Sequence, residues 1–268
     1  MEKLIKSLLI RGIKEPMAQN IMDNNFEKFI ASFTSKNYDN IKNYEFFEQI
    51  GDLSINKFIV TYMSKKFPQL RNSHGTGVLA TLRIKYGSKD VLSELSMKHQ
   101  LDKFVRCTRE ERLDKNKFKN ILEDVFEAFF GVVEYSLDEI QFGLGYFGVY
   151  KILESIFNEI DISIDYESLV DAKTRLNELK DELVKIPALC DLTLKYNSVK
   201  LNNAEYSIKL IFKSENSRQN TVIGEGISNF KKTAEIKAAE QGLKWIENNL
   251  NITKTIPDRF KTFASFTW

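Results

Sequence analysis

Cysteine is close to absent. Cys107 and Cys190 are the two in a chain of 268 residues, and they form neither a metal-ligand spacing nor a redox pair. A reduced, intracellular setting is the expectation that follows. Proline (4) and glycine (12) are scarce while Leu, Ile, Phe and Lys are common, so helix should dominate. No apolar run approaches the ~18 residues of a membrane span, which excludes a helical membrane anchor. Met1 to Arg11 has only a short apolar stretch and no small-residue cleavage site, so no secretory leader is expected. An excess of one charge is lacking too. At a net charge of +2 there is no global positive field, and a nucleic-acid partner has to be argued from local patches.

What remains is an ordinary globular composition, 43% apolar and 28% charged, long enough for one large domain or two modest ones. Residues 1–170 read as mostly helical. Apolar positions recur at threes and fours through Leu4-Ile5-Leu8-Leu9, Phe26-Phe29-Ile30-Phe33 and Ile55-Phe58-Ile59-Tyr62-Met63. Pro68 and Asn72 to Gly77 predict a loop, Lys115 to Lys119 a basic lead-in to a helix, and Glu139 to Ile160 one or two closing helices. After a linker over Asp161 to Leu169 the pattern changes. Ala172 to Leu183 is helical, and Leu192 to Tyr196, Tyr206 to Phe212 and Thr221 to Gly224 read as strands. Lys231 to Asn249 is a helix. Gly224-Glu225-Gly226 lacks a surrounding βαβ unit and reads as a turn before that helix, not a dinucleotide loop. A tail over 251–268 carries Phe260, Phe263, Phe266 and Trp268, a set of aromatics able to dock.

Two acidic segments carry the chemistry. In Tyr44-Glu45-Phe46-Phe47-Glu48-Gln49-Ile50-Gly51-Asp52, the acids Glu45, Glu48 and Asp52 fall on one helical face. In Asp124-Val125-Phe126-Glu127-Ala128-Phe129-Phe130, Asp124 and Glu127 share a face of a second helix. Crossing the two faces gathers up to five carboxylates, and Gly51 permits a close approach beside them. Two readings stay open on spacing alone. One is a solvated acidic face; the other is a site for a hard divalent cation with oxygen ligands. Interleaved Phe46, Phe47, Phe126, Phe129 and Phe130, which strip carboxylates of hydration, favour the second. So does the lack of Lys or Arg four residues on.

These segments resemble the signature of the ribonuclease III family. Glu45, Glu48, Gly51 and Asp52 match its Glu-x-x-Glu-x-x-Gly-Asp helix, and Ile121 to Gly131 match its second acidic helix. Phe33-Thr34 and Leu79 to Arg83 also fit, and the match spans roughly residues 25 to 155. The resemblance implies Glu48, Asp52, Asp124 and Glu127 as metal ligands, with Asp52 and Glu127 catalytic and Glu45 a supporting acid. It implies Mg²⁺, with Mn²⁺ as a substitute, and hydrolysis of double-stranded RNA to 5′-phosphate and 3′-hydroxyl ends with a short 3′ overhang. A metal-activated water is the implied nucleophile, so His74 and His99 need no role. The chain departs from the family at Gln49, where many members carry an aromatic that plugs the partner subunit. It departs again at Ser35, where His is frequent, and near Thr76, where an acid is common.

Asp171 to Leu179 and Lys231 to Leu243 resemble the two helices of a double-stranded RNA-binding domain, with the three strands between them in order. By that resemblance Thr174, Asn177 and Glu178 meet sugar hydroxyls in a minor groove. Lys231 and Lys232, at a helix start with free N–H groups, meet phosphates. Asn202 lies near a loop position where such domains often carry His, and Phe230 stands where Ser is common. The expected fold is a mostly α endonuclease domain over 1–165, an α-β-β-β-α RNA-binding domain over 168–250, and the tail. The expected protein is a homodimeric endoribonuclease without a membrane association or small-molecule cofactor, in the cytoplasm, or in the host's if it is viral. The alternative is a catalytically inactive protein that sequesters RNA duplexes. A Lys-, Asn- and Ile-rich composition suggests an AT-rich genome, as in a large DNA virus, a protist or an AT-rich bacterium.

Overall fold

A computed structural model describes residues 1–201, 205–214, 217–250, 257 and 260. The chain forms two compact units, Met1–Ile162 and Ser163–Trp268.

The first unit is helical: α1 (Glu2–Leu9), α2 (Glu15–Ser32), α3 (Glu45–Lys66), α4 (Gly75–Tyr86), α5 (Lys89–Lys98), α6 (Arg109–Leu113), α7 (Lys115–Ile140) and α8 (Leu144–Phe157). Local chemistry sets the ends. The Asp114 carboxylate accepts from the Asn116 and Lys117 N–H groups and opens α7, so Lys115 to Lys119 are its first turn and not a lead-in. Asn72 Oδ1 accepts from the N–H groups of His74 and Gly75 at 2.9 and 3.0 Å, which starts α4 inside the stretch predicted as a loop. Glu111 is a buried fastener. It accepts from Ser35 Oγ (2.9 Å), Asn37 Nδ2 (2.7 Å) and the Thr108 N–H (2.8 Å), tying the segment after α2 to α6. Ser35 thus has a structural task of its own. The Tyr44 N–H, bonded to the Thr34 carbonyl at 3.0 Å, then sets where α3 begins.

The core runs along α3 and α7. On α3 the buried side is Phe47, Gly51, Ser54, Ile55, Phe58, Ile59, Tyr62 and Met63, a helical stripe. Phe58 stacks among Tyr62, Tyr150 and Phe157, with ring centroids 5.0 to 5.3 Å away. The central α7 is buried nearly all round between Ile121 and Leu137, as a helix enclosed by others must be.

The second unit holds α9 (Tyr166–Leu169), α10 (Ala172–Leu183), β1 (Thr193–Lys200), β2 (Tyr206–Ser214), β3 (Ser217–Ser228) and α11 (Lys231–Leu250). The strands form an antiparallel sheet in the order β1-β2-β3, with Leu194 opposite Phe212 and Leu210 opposite Gly224. Leu176 and Leu183 of α10, Ile208, Leu210, Phe212 and Ile223 of the sheet, and Ala234, Ala238 and Ile246 of α11 share one core. The expected α-β-β-β-α order is present. Gly224-Glu225-Gly226 is not a turn, however; it lies inside β3. A Cβ at Gly224 would stand 2.1 Å from the Ala238 carbonyl oxygen, and one at Gly226 2.0 Å from that of Ala234. These glycines let the α11 backbone rest on the strand. In the tail, the Phe260 ring lies 5.0 Å from that of Tyr166 and is buried; Phe263, Phe266 and Trp268 lie outside the described residues.

Candidate metal centre

The site is built on a backbone contact. Where α3 crosses α7, a Cβ on Gly51 would stand 1.8 Å from the Glu127 carbonyl oxygen, and one on Gly131 would stand 1.9 Å from that of Phe47. Any side chain at either position would force the helices apart. The two glycines therefore set the crossing, and with it the distance between acids carried one turn away on each helix, Glu48 on α3 and Glu127 on α7.

Carboxylate oxygens of Glu48, Asp124 and Glu127 lie within 4.8 Å of one another. Glu127 is only 7% exposed, among buried Phe126, Phe129 and Phe130. Burial, with the charges of Asp52, Glu123, Glu48 and Asp124 around it, pushes its carboxyl up to about 9. Burial and the charge of Asp124 raise Glu48 to about 7. Asp124 is raised mainly by burial, an effect eased by the Tyr44 hydroxyl directed at it. The flanking acids take the nearby lysines: Lys36 pairs with Glu45 at 2.8 Å and Lys89 with Glu123 at 3.7 Å. The inner three are thus desolvated and mutually repelling, which is what a donor set for a hard cation looks like before the cation arrives. Oxygens ligated at about 2.1 Å stand about 4.2 Å apart across such an ion, close to the span of this group.

The remaining expected residues sit differently. Asp52 is exposed on α3 and outside the group of three; its Oδ1 accepts from Asn56 Nδ2 at 2.6 Å. Glu45 is exposed and held by Lys36. Phe46, expected to help desolvate the acids, instead faces out at 59% exposure and leans edge-on against Tyr135. Sequence reasoning gave no role to Tyr44, Glu123, Lys89 or Asn56. The acid beside Asp124 and the Tyr just before Glu45 were the available signals.

In the second unit Lys231 and Lys232 are exposed in the first turn of α11, and Asn177 is exposed on α10. Thr174 Oγ1 donates to Asp171 Oδ2 at 2.9 Å, and Glu178 accepts from the Tyr166 hydroxyl. Asn202 lies outside the described residues. Among the described residues no helix is long and apolar enough to cross a membrane.

A model of the ribonuclease III domain matches residues 45–137, the segment that carries both acidic helices. A protein of Invertebrate iridescent virus 6 assigned as a ribonuclease 3 is 38% identical over 276 residues, covering 98% of this chain and 92% of the relative. The ribonuclease 3 of Limosilactobacillus reuteri (strain DSM 20016) is 29% identical over 250 residues, covering 90% of this chain and 99% of the relative. Similarity at that level runs through both units, and it joins the crossed acidic helices to one enzyme class: the chain belongs to the ribonuclease III family and is an endoribonuclease.

Proposed function

We propose that Glu48, Asp124 and Glu127 hold a divalent ion, Mg²⁺ in the cell and Mn²⁺ as a substitute, and that the enzyme cuts double-stranded RNA there. The observation that carries this is the gathering of three desolvated carboxylates from two helices at one point. When bound, such an ion lowers the pKa of a coordinated water and neutralises charge on the phosphodiester. The chain's own part is to hold the donors in place. The Gly51–Gly131 contact fixes the helix spacing, Tyr44 orients Asp124, and Phe126, Phe129 and Phe130 keep water from the buried side. Without a cation Glu127 keeps a proton at neutral pH, and binding expels it. Asp52 acts with Glu127 at the reacting end, and Glu45 is a supporting acid kept in place by Lys36. The products carry 5′-phosphates and 3′-hydroxyls on short 3′ overhangs.

In this reading the first unit is the catalytic domain and the second the RNA-binding domain. Lys231 and Lys232 meet phosphates at the α11 N-terminus; Thr174, Asn177 and Glu178 face a minor groove, and Asn202 is a further RNA contact. A second copy of the chain covers the outer face of α3. Phe46 and Leu53 lie there seven residues apart, both well exposed, with the polar Gln49 between them. The enzyme works in the cytoplasm.

The test is to incubate the purified protein with a long RNA duplex and Mg²⁺ beside a Glu127→Gln variant. Cutting by the parent and not by the variant is expected. Duplex binding by the parent without any cutting would sink the reading and leave a protein that only grips RNA.

A further inference from the structure

Asparagine is a poor choice for a helix interior, because its side chain competes with the backbone. Asn56 nevertheless sits mid-way along α3, four residues after Asp52. Its Nδ2 donates twice to that one residue, to the Asp52 backbone carbonyl at 2.9 Å and to Oδ1 at 2.6 Å. Its Oδ1 accepts from Arg83 Nη1 of α4 at 3.2 Å. A guanidinium can only donate, so Arg83 dictates which way the amide points: oxygen toward α4, nitrogen toward Asp52. The flipped amide would set its oxygen against a carboxylate. The three groups form a directed chain, Arg83 to Asn56 to Asp52, which fixes one rotamer of an exposed acid on the face that carries Glu48.

We propose that Asn56 is a positioning residue for the metal centre: gripped by Arg83, it pins Asp52 beside the group formed by Glu48, Asp124 and Glu127. This inference rests on the metal-centre reading above. Without the amide, Asp52 spreads over several rotamers, and the negative field beside Glu127 is no longer set in advance. Partners one step behind metal ligands typically matter by about tenfold to a hundredfold in affinity or rate; Asp52 stands outside the three, so Asn56 acts one step further back and its loss costs less.

The experiment uses the full chain in two assays: Mn²⁺ affinity by isothermal titration calorimetry without RNA, and cleavage of a long duplex with Mg²⁺. The variants are Asn56→Ala, Asn56→Leu, Arg83→Met and the double Asn56→Ala/Arg83→Met, with Glu127→Gln as control. Leucine keeps the volume of Asn56 and removes the amide, so it serves if alanine leaves a poorly folded chain. Expected for either Asn56 variant is a loss of Mn²⁺ affinity and of kcat of up to about tenfold, with duplex affinity in Ca²⁺ unchanged. The Arg83 variant should lose less, and its effect should vanish in the double variant. Wild-type Mn²⁺ affinity in both Asn56 variants would overturn the proposal, as would full additivity of the two substitutions. Failure of the metal-centre reading looks different: Glu127→Gln would then bind Mn²⁺ and cut as well as the parent.

Discussion

Both units press a helix backbone onto glycine, and they do so to opposite ends. In the first, Gly51 and Gly131 bring α3 onto α7, with Glu48 one turn before Gly51 and Glu127 one turn before Gly131, its own carbonyl facing Gly51. In the second, Gly224 and Gly226 bring β3 onto α11 at Ala238 and Ala234, and one turn before Ala234 lies Lys231. The packing device is shared, but the charged groups differ in sign and in hydration. The acids are drawn into apolar surroundings, where burial and one another's charge raise them to about 7 and about 9. The lysines stay in water at a helix start. A site that must seize a small hard cation benefits from desolvated, repelling donors. A surface that meets a phosphate backbone needs only reach and charge.

The largest effect expected from this contrast is Glu127→Gln. Cleavage of a long duplex should fall well beyond the about hundredfold that loss of an outer partner costs, while filter-binding affinity for the duplex stays put. Comparable losses of cleavage and of binding would merge the two regions into one function. Next come the glycines. Gly51→Ala should lower stability by about 1–3 kcal/mol or more, because its Cβ meets a backbone carbonyl with nowhere to go. It should also abolish Mn²⁺ binding by calorimetry. Gly226→Ala should destabilise to a similar degree in thermal unfolding and leave Mn²⁺ binding intact. If Gly51→Ala binds Mn²⁺ normally, the helix crossing does not set the site.

Smaller still is the double substitution Lys231→Ala/Lys232→Ala. Two lost phosphate contacts should reduce the slope of log affinity against log salt by about 2 and leave Mn²⁺ binding unchanged. An unchanged salt slope would place the RNA contacts elsewhere. The last effect concerns pH. The folded-state carboxyls of Glu48 and Glu127 lie above the ordinary 4.5, so the folded chain binds more protons than the unfolded one between about 4.5 and about 9. Without divalent metal, stability should therefore decline as pH rises through that window, and the Glu127 share should fade last, toward pH 9. Chemical denaturation in a chelator at stepped pH reads this directly, and Glu127→Gln should flatten its upper end. A midpoint that rises with pH, and does so equally in both proteins, would mean the acids are solvated after all.

The expectation of crossed acidic helices could be formed from sequence because each half is local. Glu45, Glu48 and Asp52 share a face by helical period alone, as do Asp124 and Glu127, and Gly51 stands out as the small residue beside them. What period does not reveal is which way a side chain finally turns. Asp52 shares a face with Glu48 but is taken by Asn56, itself held from α4, a contact between residues 27 apart in the chain. Phe46 belongs to the same segment as Phe47 yet faces outward, because neighbours on a helix point about 100° apart and Phe47, one turn before Gly51, takes the side toward α7. Gly224 and Gly226 imitate a turn locally; only the approach of α11 explains them. Glu178 falls on the expected face of α10, but the Tyr166 hydroxyl bonds to it. Apart from Phe46, each of these differences comes from a contact between separate elements or a competing hydrogen bond, which spacing along the chain does not encode.

The central claim is that Glu48, Asp124 and Glu127 share one divalent ion. Anomalous diffraction from crystals grown with Mn²⁺ tests it most directly. The account predicts a manganese peak within bonding distance of an oxygen from each of the three, absent from crystals of the Glu127→Gln variant. A peak bound by other residues, or none at saturating Mn²⁺ in well-ordered crystals, would contradict it.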